Sequence, residues 1–352
     1  MRIEIKGSGE DYLVELSGEK PEDIASDLFD LNRKVLIITD DNIPDEYYSS
    51  IEELCKEPYV VIFPHGEEYK GILAYNYLLN YMTKHNFYRD DCIVAVGGGV
   101  ISDLSGFAAA TYMRGIDYYS VPTTLLSQVD ASIGGKTGIN FEGYKNIVGS
   151  FYPPRAVAVT PRVLSTLDDR QFSNGMAEII KMAVCLNEGL FERLEKVKDL
   201  DELRNDQVTL KKIIAESVLS KIKIVEDDEK ERNLRRLLNF GHTIGHGLES
   251  LSIKNELGGD ALLHGECVAI GMLPMCGKKV GKRLRDVLAA FDLPVKADSN
   301  IDINDLLEAI SHDKKIEQDG FNIVMVDEIG CGEICKVSRD ELRDIITEGE
   351  IL

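Results

Sequence analysis

From Lys34 to Thr160 short apolar runs alternate with helix-patterned segments, and that alternation constrains the fold more than anything else in the chain. KVLIIT (34–39), YVVIF (59–63), CIVAV (92–96), YYSVP (118–122) and RAVAVT (155–160) read as strands, with helical patterns after Asn42, over 71–86 and from Val100 to Thr111. Strand–helix repeats of this kind predict a parallel sheet with helices on its faces. Ahead of them, residues 2–16 read as a hairpin with a Gly turn, and Pro21 to Leu31 as a helix. After Thr160, which caps a helix opened by Pro161, the pattern is helical. The helices are expected at about 161–168, 170–186, 188–197, 206–225, 232–250, 262–283, 285–291 and 303–311. A small strand pair is expected at 320–326 and 333–336, and Ser338 with Glu341 forms a capping box for a last helix. The reading is an α/β chain of two domains, residues 1–163 and 164–352, with the boundary near 160–168 and the second domain all-helical or nearly so.

Two loops of the first domain carry chemistry. The strand ending at Val96 runs straight into Gly97-Gly98-Gly99, and Val100-Ile101-Ser102-Asp103 then opens a helix. Glycines at that junction let a backbone approach a pyrophosphate at a helix N-terminus, in the strand, glycine, helix order expected of a Rossmann-like domain. The spacing is not GxGxxG, and a plain tight turn would use the same residues. The stretch from Thr123 to Pro154 reads as one long loop, rich in glycine and small polar residues and carrying Asp130, Lys136, Lys145 and Asn146. Loops of such length are usually functional or disordered, and the interspersed apolar residues argue against disorder. Gly-Gly-Lys-Thr at 134–137 can aim Lys136 at a phosphate, although the P-loop spacing is absent and a solvated lysine is the plain alternative.

In the second domain the segment LRRLLNFGHTIGHGLE (234–249) reads as one helix. At about 100° per residue, Arg235, Asn239, His242 and His246 fall within roughly 60° of arc. A polar ridge on so apolar a helix needs partners or a cavity. Gly241 and Gly245 each weaken a helix by about 1 kcal/mol relative to Ala, which makes sense where a backbone or ligand comes close. Two hydrogen-bonded core histidines are the plain alternative; the alignment favours an active-site wall. Glu178, His242 and His264, each from a separate helical segment, form a candidate carboxylate and two-imidazole set suited to Zn²⁺. Their separations match no local ligand motif.

The formal charge of −21 argues against nucleic acid as the main partner, while a local basic pocket for a small anion stays possible. Seven scattered cysteines without a CxxC pair read as reduced thiols of a cytoplasmic protein. No signal-peptide core and no run of about 18 apolar residues occurs.

The segments VGGGVISDLSGFAAATYMRG, VPTTLLSQVDASIGGKTGIN, YKNIVGSFYPP, GMAEIIK, RRLLNFGHTIGH and LLHGECVAIGM resemble the 3-dehydroquinate synthase family, in order, from about residue 34 to 315. The resemblance implies a homodimer with an NAD-binding α/β domain and a helical metal- and substrate-binding domain. It implies one Zn²⁺ or Co²⁺ on Glu178, His242 and His264. NAD would meet Asp40, Asn42, Glu67, Lys70, Gly99, Val100, Ile101, Ser102, Asp103, Thr123, Thr124, Lys145 and Val163, Leu164, Ser165 and Thr166, with Lys136 close to both cofactor and substrate. The substrate, 3-deoxy-D-arabino-heptulosonate 7-phosphate, would meet Asp130, Lys136, Asn146, Lys181, Lys221, Arg235, Asn239 and His246. Glu231 matches an acidic position near the site, Lys314 stands for one lysine of the 313–315 run, and Arg114 matches a phosphate ligand lent by the other subunit. The implied reaction is transient oxidation at C5, β-elimination of phosphate, re-reduction, ring opening and aldol closure to 3-dehydroquinate.

Ser102 stands where the family commonly has Gly, and Lys223 where it usually has Glu, which leaves Lys221 less secure than Lys136. The rival readings are a related sugar-phosphate cyclase of the 2-deoxy-scyllo-inosose synthase type, a metal- and NAD-dependent polyol dehydrogenase, and a non-catalytic metal-stabilised dimer. The Gly-Gly-Lys-Thr and Leu-Leu-Asn-Phe-Gly-His stretches favour the dehydroquinate enzyme.

Overall fold

Val35, Leu36, Ile37 and Ile38 are all fully buried, as a strand covered on both faces requires. The computed structural model that places them describes residues 1–6, 11–231, 233–253, 261–297, 301–313 and 320–352. The chain divides into two units, Met1–Asp168 with Asp206–Val218, and Asp169–Asn205 with Leu219–Leu352.

In the first unit the elements are β1 (Arg2–Ile5), β2 (Tyr12–Leu16), α1 (Pro21–Leu28), β3 (Lys34–Asp40), α2 (Asp45–Glu52), β4 (Glu57–Phe63), α3 (Ile72–Lys84), β5 (Cys92–Gly97), α4 (Gly99–Thr111), β6 (Asp117–Pro122), β7 (Lys136–Phe141), β8 (Tyr144–Phe151) and β9 (Ala156–Val159). Seven strands form one sheet in the order β1-β2-β9-β6-β5-β3-β4. All neighbours run parallel except β1 with β2. The chain leaves β3 for β4 at one edge and returns to β5 on the other side of β3, so the strand order reverses between β3 and β5. Open α/β sheets take ligands at the carboxyl ends of strands at such a reversal. Here those ends are Asp40 and the triple glycine.

The stretch from Thr123 to Pro154 is not a plain loop. It holds a π-helical turn, Ser127–Ala131, and then the β7–β8 hairpin. Glu142 (φ +50°) and Gly143 (φ +82°) join the two strands, both in the left-handed region that two-residue hairpin turns demand. Glycines inside the strands hid the hairpin, because they break the alternation that marks a strand. They are there for closeness: a Cβ at Gly138 would lie 2.8 Å from the Val148 carbonyl oxygen.

The second unit contains α5 (Asp169–Leu186), α6 (Glu188–Leu194), α7 (Leu200–Asn205), the rest of α8 (Gln207–Asp227), α9 (His242–Ile253), α10 (His264–Met272), α11 (Lys278–Ala290), α12 (Ile303–Asp313), the strands β10 (Phe321–Glu328) and β11 (Cys331–Val337), and α13 (Arg339–Glu348). β10 and β11 pair antiparallel, so this unit is mainly rather than wholly helical. The helix expected at 262–283 divides at Pro274, which lacks the N–H a continuing helix needs.

The helix expected over 232–250 is also two pieces. Leu234–Asn239 is a 3₁₀ turn, the chain breaks at Phe240 and Gly241, and α9 starts at His242. Gly241 has φ +78°, and a Cβ there would lie 2.8 Å from the Val268 carbonyl oxygen. From the other side, a Cβ on Gly271 of α10 would come within 2.2 Å of the Gly241 carbonyl oxygen. The start of α9 therefore meets α10 backbone to backbone. Among the described residues no helix is long and apolar enough to cross a membrane, and all seven cysteines are free. Gly271→Ala is expected to destabilise the protein by about 1–3 kcal/mol through overpacking, read as a lowered midpoint in urea unfolding, whereas Gly18→Ala, with open space around its position, should leave that midpoint unchanged.

Candidate active site and metal centre

α5 is buried without interruption from Phe172 to Cys185, yet it carries Glu178 and Lys181 at 0% and 2% exposure. Ions are rarely tolerated so deep unless paired. Here they pair with each other across three residues, Lys181 Nζ donating to Glu178 Oε2. The other oxygen, Glu178 Oε1, is buried and has no hydrogen-bond partner among the described residues. It sits 3.6 Å from His242 Nε2 and 3.6 Å from His264 Nε2.

The two imidazoles are held by their other nitrogens. His242 Nδ1 lies 3.2 Å from the Phe240 carbonyl oxygen, which calls for a proton on Nδ1 and turns the Nε2 lone pair toward Glu178. His264 Nδ1 lies 3.4 Å from Glu249 Oε2, a carboxylate behind a histidine as metal sites use it. His246 completes the cluster, with ring centroids 5.2 Å between His242 and His246, 5.2 Å between His242 and His264, and 5.9 Å between His246 and His264.

Electrostatics follow from these neighbours. Burial alone would raise the Glu178 carboxyl; Lys181, then His242 and His264, outweigh it and hold it well below the usual carboxylate range. Burial and the Lys181 ammonium keep His242 neutral. Burial also opposes charge on His264, but Glu249 and Glu178 prevail and raise it to about 10.

Donors about 2.0–2.2 Å from a tetrahedral ion are separated by about 3.3–3.6 Å. One ionised oxygen with nothing to bind and two imidazole nitrogens at that separation fit a divalent cation. His246, Glu249 and His264 form a second possible set, but it shares His264, and the Nδ1–Oε2 distance is that of a hydrogen bond. Glu249 was not singled out from the sequence, although His242, His246 and Glu249 at i, i+4 and i+7 share one helical face.

The remaining second-unit candidates are placed as follows. Lys221 on α8 and Arg235 in the 3₁₀ turn are both buried. Arg235 donates through Nη1 to the Glu229 carbonyl, and its backbone N–H reaches Asp228 Oδ2 at 3.1 Å. Asn239 Nδ2 donates to Glu231 Oε1, and Glu231 adopts φ +55°. Because the expected helix is broken at Gly241, Arg235 and Asn239 do not continue the α9 ridge; the turn, not helical periodicity, sets their direction. Lys314 lies outside the described residues.

In the first unit Asp40 ends β3 and accepts the Asn42 N–H at 3.0 Å, and burial raises its carboxyl. Gly98 precedes α4, whose first turn holds Gly99, Val100, Ile101, Ser102 and Asp103. A Cβ at Gly98 would meet Thr124 Cγ2 at 3.0 Å, so this junction has no room for a side chain. The Ile101 and Ser102 side chains are buried, leaving the backbone of that turn to face a ligand. Lys70, itself buried, donates to Asp103 Oδ2, whose carboxyl burial raises despite that ammonium.

Asn140 on β7, absent from the sequence reading, ties this region together. Its Nδ2 reaches Glu67 Oε1 at 2.9 Å, its backbone N–H reaches the Lys70 carbonyl at 2.8 Å, and its Oδ1 accepts the Asn146 N–H at 3.0 Å. Its sequence neighbourhood carries no signal of this role, which depends on the hairpin. Thr123 is buried after β6, and Asp130 lies in the π-helical turn. Lys136 opens β7 and is exposed, as are Lys145 and Asn146 on β8. Val163, Leu164, Ser165 and Thr166 form a 3₁₀ turn in which Val163 and Leu164 are core residues, so only their backbone is available to a ligand. Arg114 is exposed in a 3₁₀ turn at φ +67°.

Comparisons with known proteins bear on the family of the chain. The 3-dehydroquinate synthase N-terminal family model matches residues 60–174, and the C-terminal family model matches residues 175–316. The 3-dehydroquinate synthase of Crocosphaera subtropica is 41% identical over 318 residues, covering 86% of this chain and 86% of that protein. Among solved structures, ValA (2-epi-5-epi-valiolone synthase) from Streptomyces hygroscopicus subsp. jinggangensis 5008, with NAD⁺ and Zn²⁺ bound, superposes at TM-score 0.86 and 25% identity over 98% of both chains. A 2-deoxy-scyllo-inosose synthase complexed with carbaglucose-6-phosphate, NAD⁺ and Co²⁺ superposes at TM-score 0.84 and 26% identity over 99% of this chain and 100% of that one. The chain belongs to the 3-dehydroquinate synthase family.

Proposed function

We propose that this protein converts 3-deoxy-D-arabino-heptulosonate 7-phosphate to 3-dehydroquinate and phosphate, using one bound NAD and one divalent ion, Zn²⁺ or Co²⁺. Family membership supports the reaction, and one observation carries the metal: the orphaned Glu178 oxygen between two imidazole nitrogens. When bound, the ion would supply Lewis acidity toward the substrate C5 oxygen and NAD a reversible hydride acceptor for C5, so that no net NADH would form.

Everything else falls to the chain's own side chains. Glu178, His242 and His264 would hold the ion. Lys181, beside Glu178, keeps that carboxylate ionised and supplies positive charge near the substrate hydroxyls. Arg235, Lys221, Asn146, Asp130 and Lys136 would orient the carboxylate, phosphate and hydroxyls, work that is mainly positioning and electrostatics. Asn239, set by Glu231, and His246 would manage hydroxyl protons. The α4 N-terminus and its glycines would take the dinucleotide pyrophosphate, with Asp40, Asn42, Glu67, Lys70, Thr123, Thr124, Lys145 and the 163–166 turn around it. The reading extends to a homodimer in which Arg114, exposed beside the exposed Met113, serves the partner subunit's phosphate site, and to a cytoplasmic location, which seven free thiols favour.

The decisive assay mixes protein, NAD⁺ and Zn²⁺ or Co²⁺ with the heptulosonate phosphate. Phosphate and 3-dehydroquinate should appear together, with no net absorbance from NADH. Stoichiometric NADH from a simple polyol would make it a dehydrogenase, and turnover of glucose 6-phosphate or sedoheptulose 7-phosphate in its place would make it another cyclase.

His264→Ala should weaken metal retention by more than about a hundredfold and abolish turnover; full metal content in the variant would refute the ligand set. The metal-free site also sets a pH dependence. At neutral pH Glu178 and His242 carry no proton for an incoming cation to displace, whereas His264, raised to about 10, does. Apparent affinity for Zn²⁺ is therefore expected to rise about tenfold per pH unit between about pH 7 and about pH 9, measured against a chelator of known proton competition. A flat profile would mean His264 is already neutral.

A further inference from the structure

One helix carries a metal donor, and its same side governs where another donor stands. Arg170, Asn174 and Glu178 follow one another at four-residue intervals along α5, so they share a face. Arg170 grips Glu266 with two donors, Nε on Oε1 at 2.7 Å and Nη2 on Oε2 at 2.8 Å, and Nη2 also reaches the Ala261 carbonyl at 2.8 Å. Glu266 Oε2 in turn accepts the Leu263 N–H at 2.7 Å, capping the start of α10. Asn174 Oδ1 accepts the Gly265 N–H at 2.5 Å. A Cβ at Gly265 would fall 2.1 Å from the Asn174 carbonyl oxygen, so the approach demands glycine. Gly265 and Glu266 directly follow His264. Two successive residues are thus fastened to α5, and His264 Nε2 arrives 3.6 Å from Glu178 Oε1.

We propose that Arg170 and Asn174 are positioning residues of the metal centre: by clamping the first turn of α10 they hold the His264 imidazole in register with Glu178, so that the cation meets a preformed set of donors. The proposal rests on the metal reading above. A clamp that merely stabilised α10 would alter unfolding without altering the centre, and the test separates the two.

The full-length protein is stripped of metal and titrated with Zn²⁺ and with Co²⁺ against a chromophoric chelator, and the visible absorption of the Co²⁺ form is recorded. Arg170→Ala and Asn174→Ala should each weaken affinity about 10–100-fold and change the Co²⁺ bands. Asn174→Asp, which restores an acceptor for the Gly265 N–H, should stay within about threefold of the native affinity. Should the alanine variants fold poorly, Glu266→Gln keeps the side-chain volume and the Leu263 cap but loses the charged two-point grip, and is expected to show the same loss. Folded variants with native affinity and native Co²⁺ bands overturn the proposal while leaving the metal reading intact, as does Asn174→Asp losing as much as Asn174→Ala. A native protein that takes up neither ion overturns both.

Discussion

The Glu178–Lys181 pair is the interaction on which the second unit's chemistry depends. Removing either ion from water costs several kcal/mol, and mutual attraction offsets this only with good geometry and further partners. Three residues apart on one buried helix, the two groups meet without any loop having to order them. That economy leaves one carboxylate oxygen unmet. An unmet ionised oxygen in a protein interior is rare, and a cation is the partner that resolves it most completely. The two imidazoles facing that oxygen have their other nitrogens committed, one to a carbonyl and one to a carboxylate, so each has its lone pair or proton directed by a neighbour rather than by solvent.

A different constraint shapes the first unit. A parallel sheet buried on both faces offers polar backbone only at its strand ends, and the reversal between β3 and β5 opens a place there. Gly97, Gly98 and Gly99 make the turn into α4 without side chains. The Thr124 methyl fills the space beside Gly98, and the Ala131 methyl stands 3.4 Å from where a Gly99 Cβ would be. Helix N–H groups and dipole at that end favour an anionic group. Ser102, where the family commonly has Gly, does not crowd this turn, because its side chain points into the buried side of α4.

The sequence was legible where one physical rule governed. Strands β3, β5, β6 and β9 are legible because burial on both faces leaves apolar runs, while β4, at the sheet edge and partly exposed, is legible from its Tyr59–Phe63 run. Glu178, His242 and His264, the expected metal donors, stand on α5, α9 and α10 with one ligand atom each within 4.8 Å of the others. What escaped notice was governed by close backbone contact. Gly241 breaks the 234–249 segment because α10 passes against it, and helical periodicity has no means of registering a neighbour. The β7–β8 hairpin is hidden for a similar reason, and Asn140 with it, since its contacts to Glu67 and Asn146 depend on a strand that glycine-rich sequence does not reveal. Glu249 is the exception: its spacing from His242 and His246 was sufficient, but a glutamate on a helix face is ordinarily solvated.

The acidic composition sharpens the meaning of the buried cations. A chain with a formal charge of −21 has no general need of interior lysine and arginine, yet Lys181, Lys221 and Arg235 are each 4% exposed or less within the second unit. Net charge acts at long range and is screened within about 8–10 Å by salt; buried charges act at short range in a medium that screens far less. An acidic net charge and buried cations are thus compatible, even with Glu178, Glu249 and Glu266 buried in the same unit. Nucleic acid, which needs an extended basic surface, is disfavoured, while a small ligand carrying phosphate and carboxylate can exchange its hydration for fixed cations inside. A simple polyol offers no anionic group for such side chains to bind, and so accounts for them less well than a ligand carrying phosphate and carboxylate.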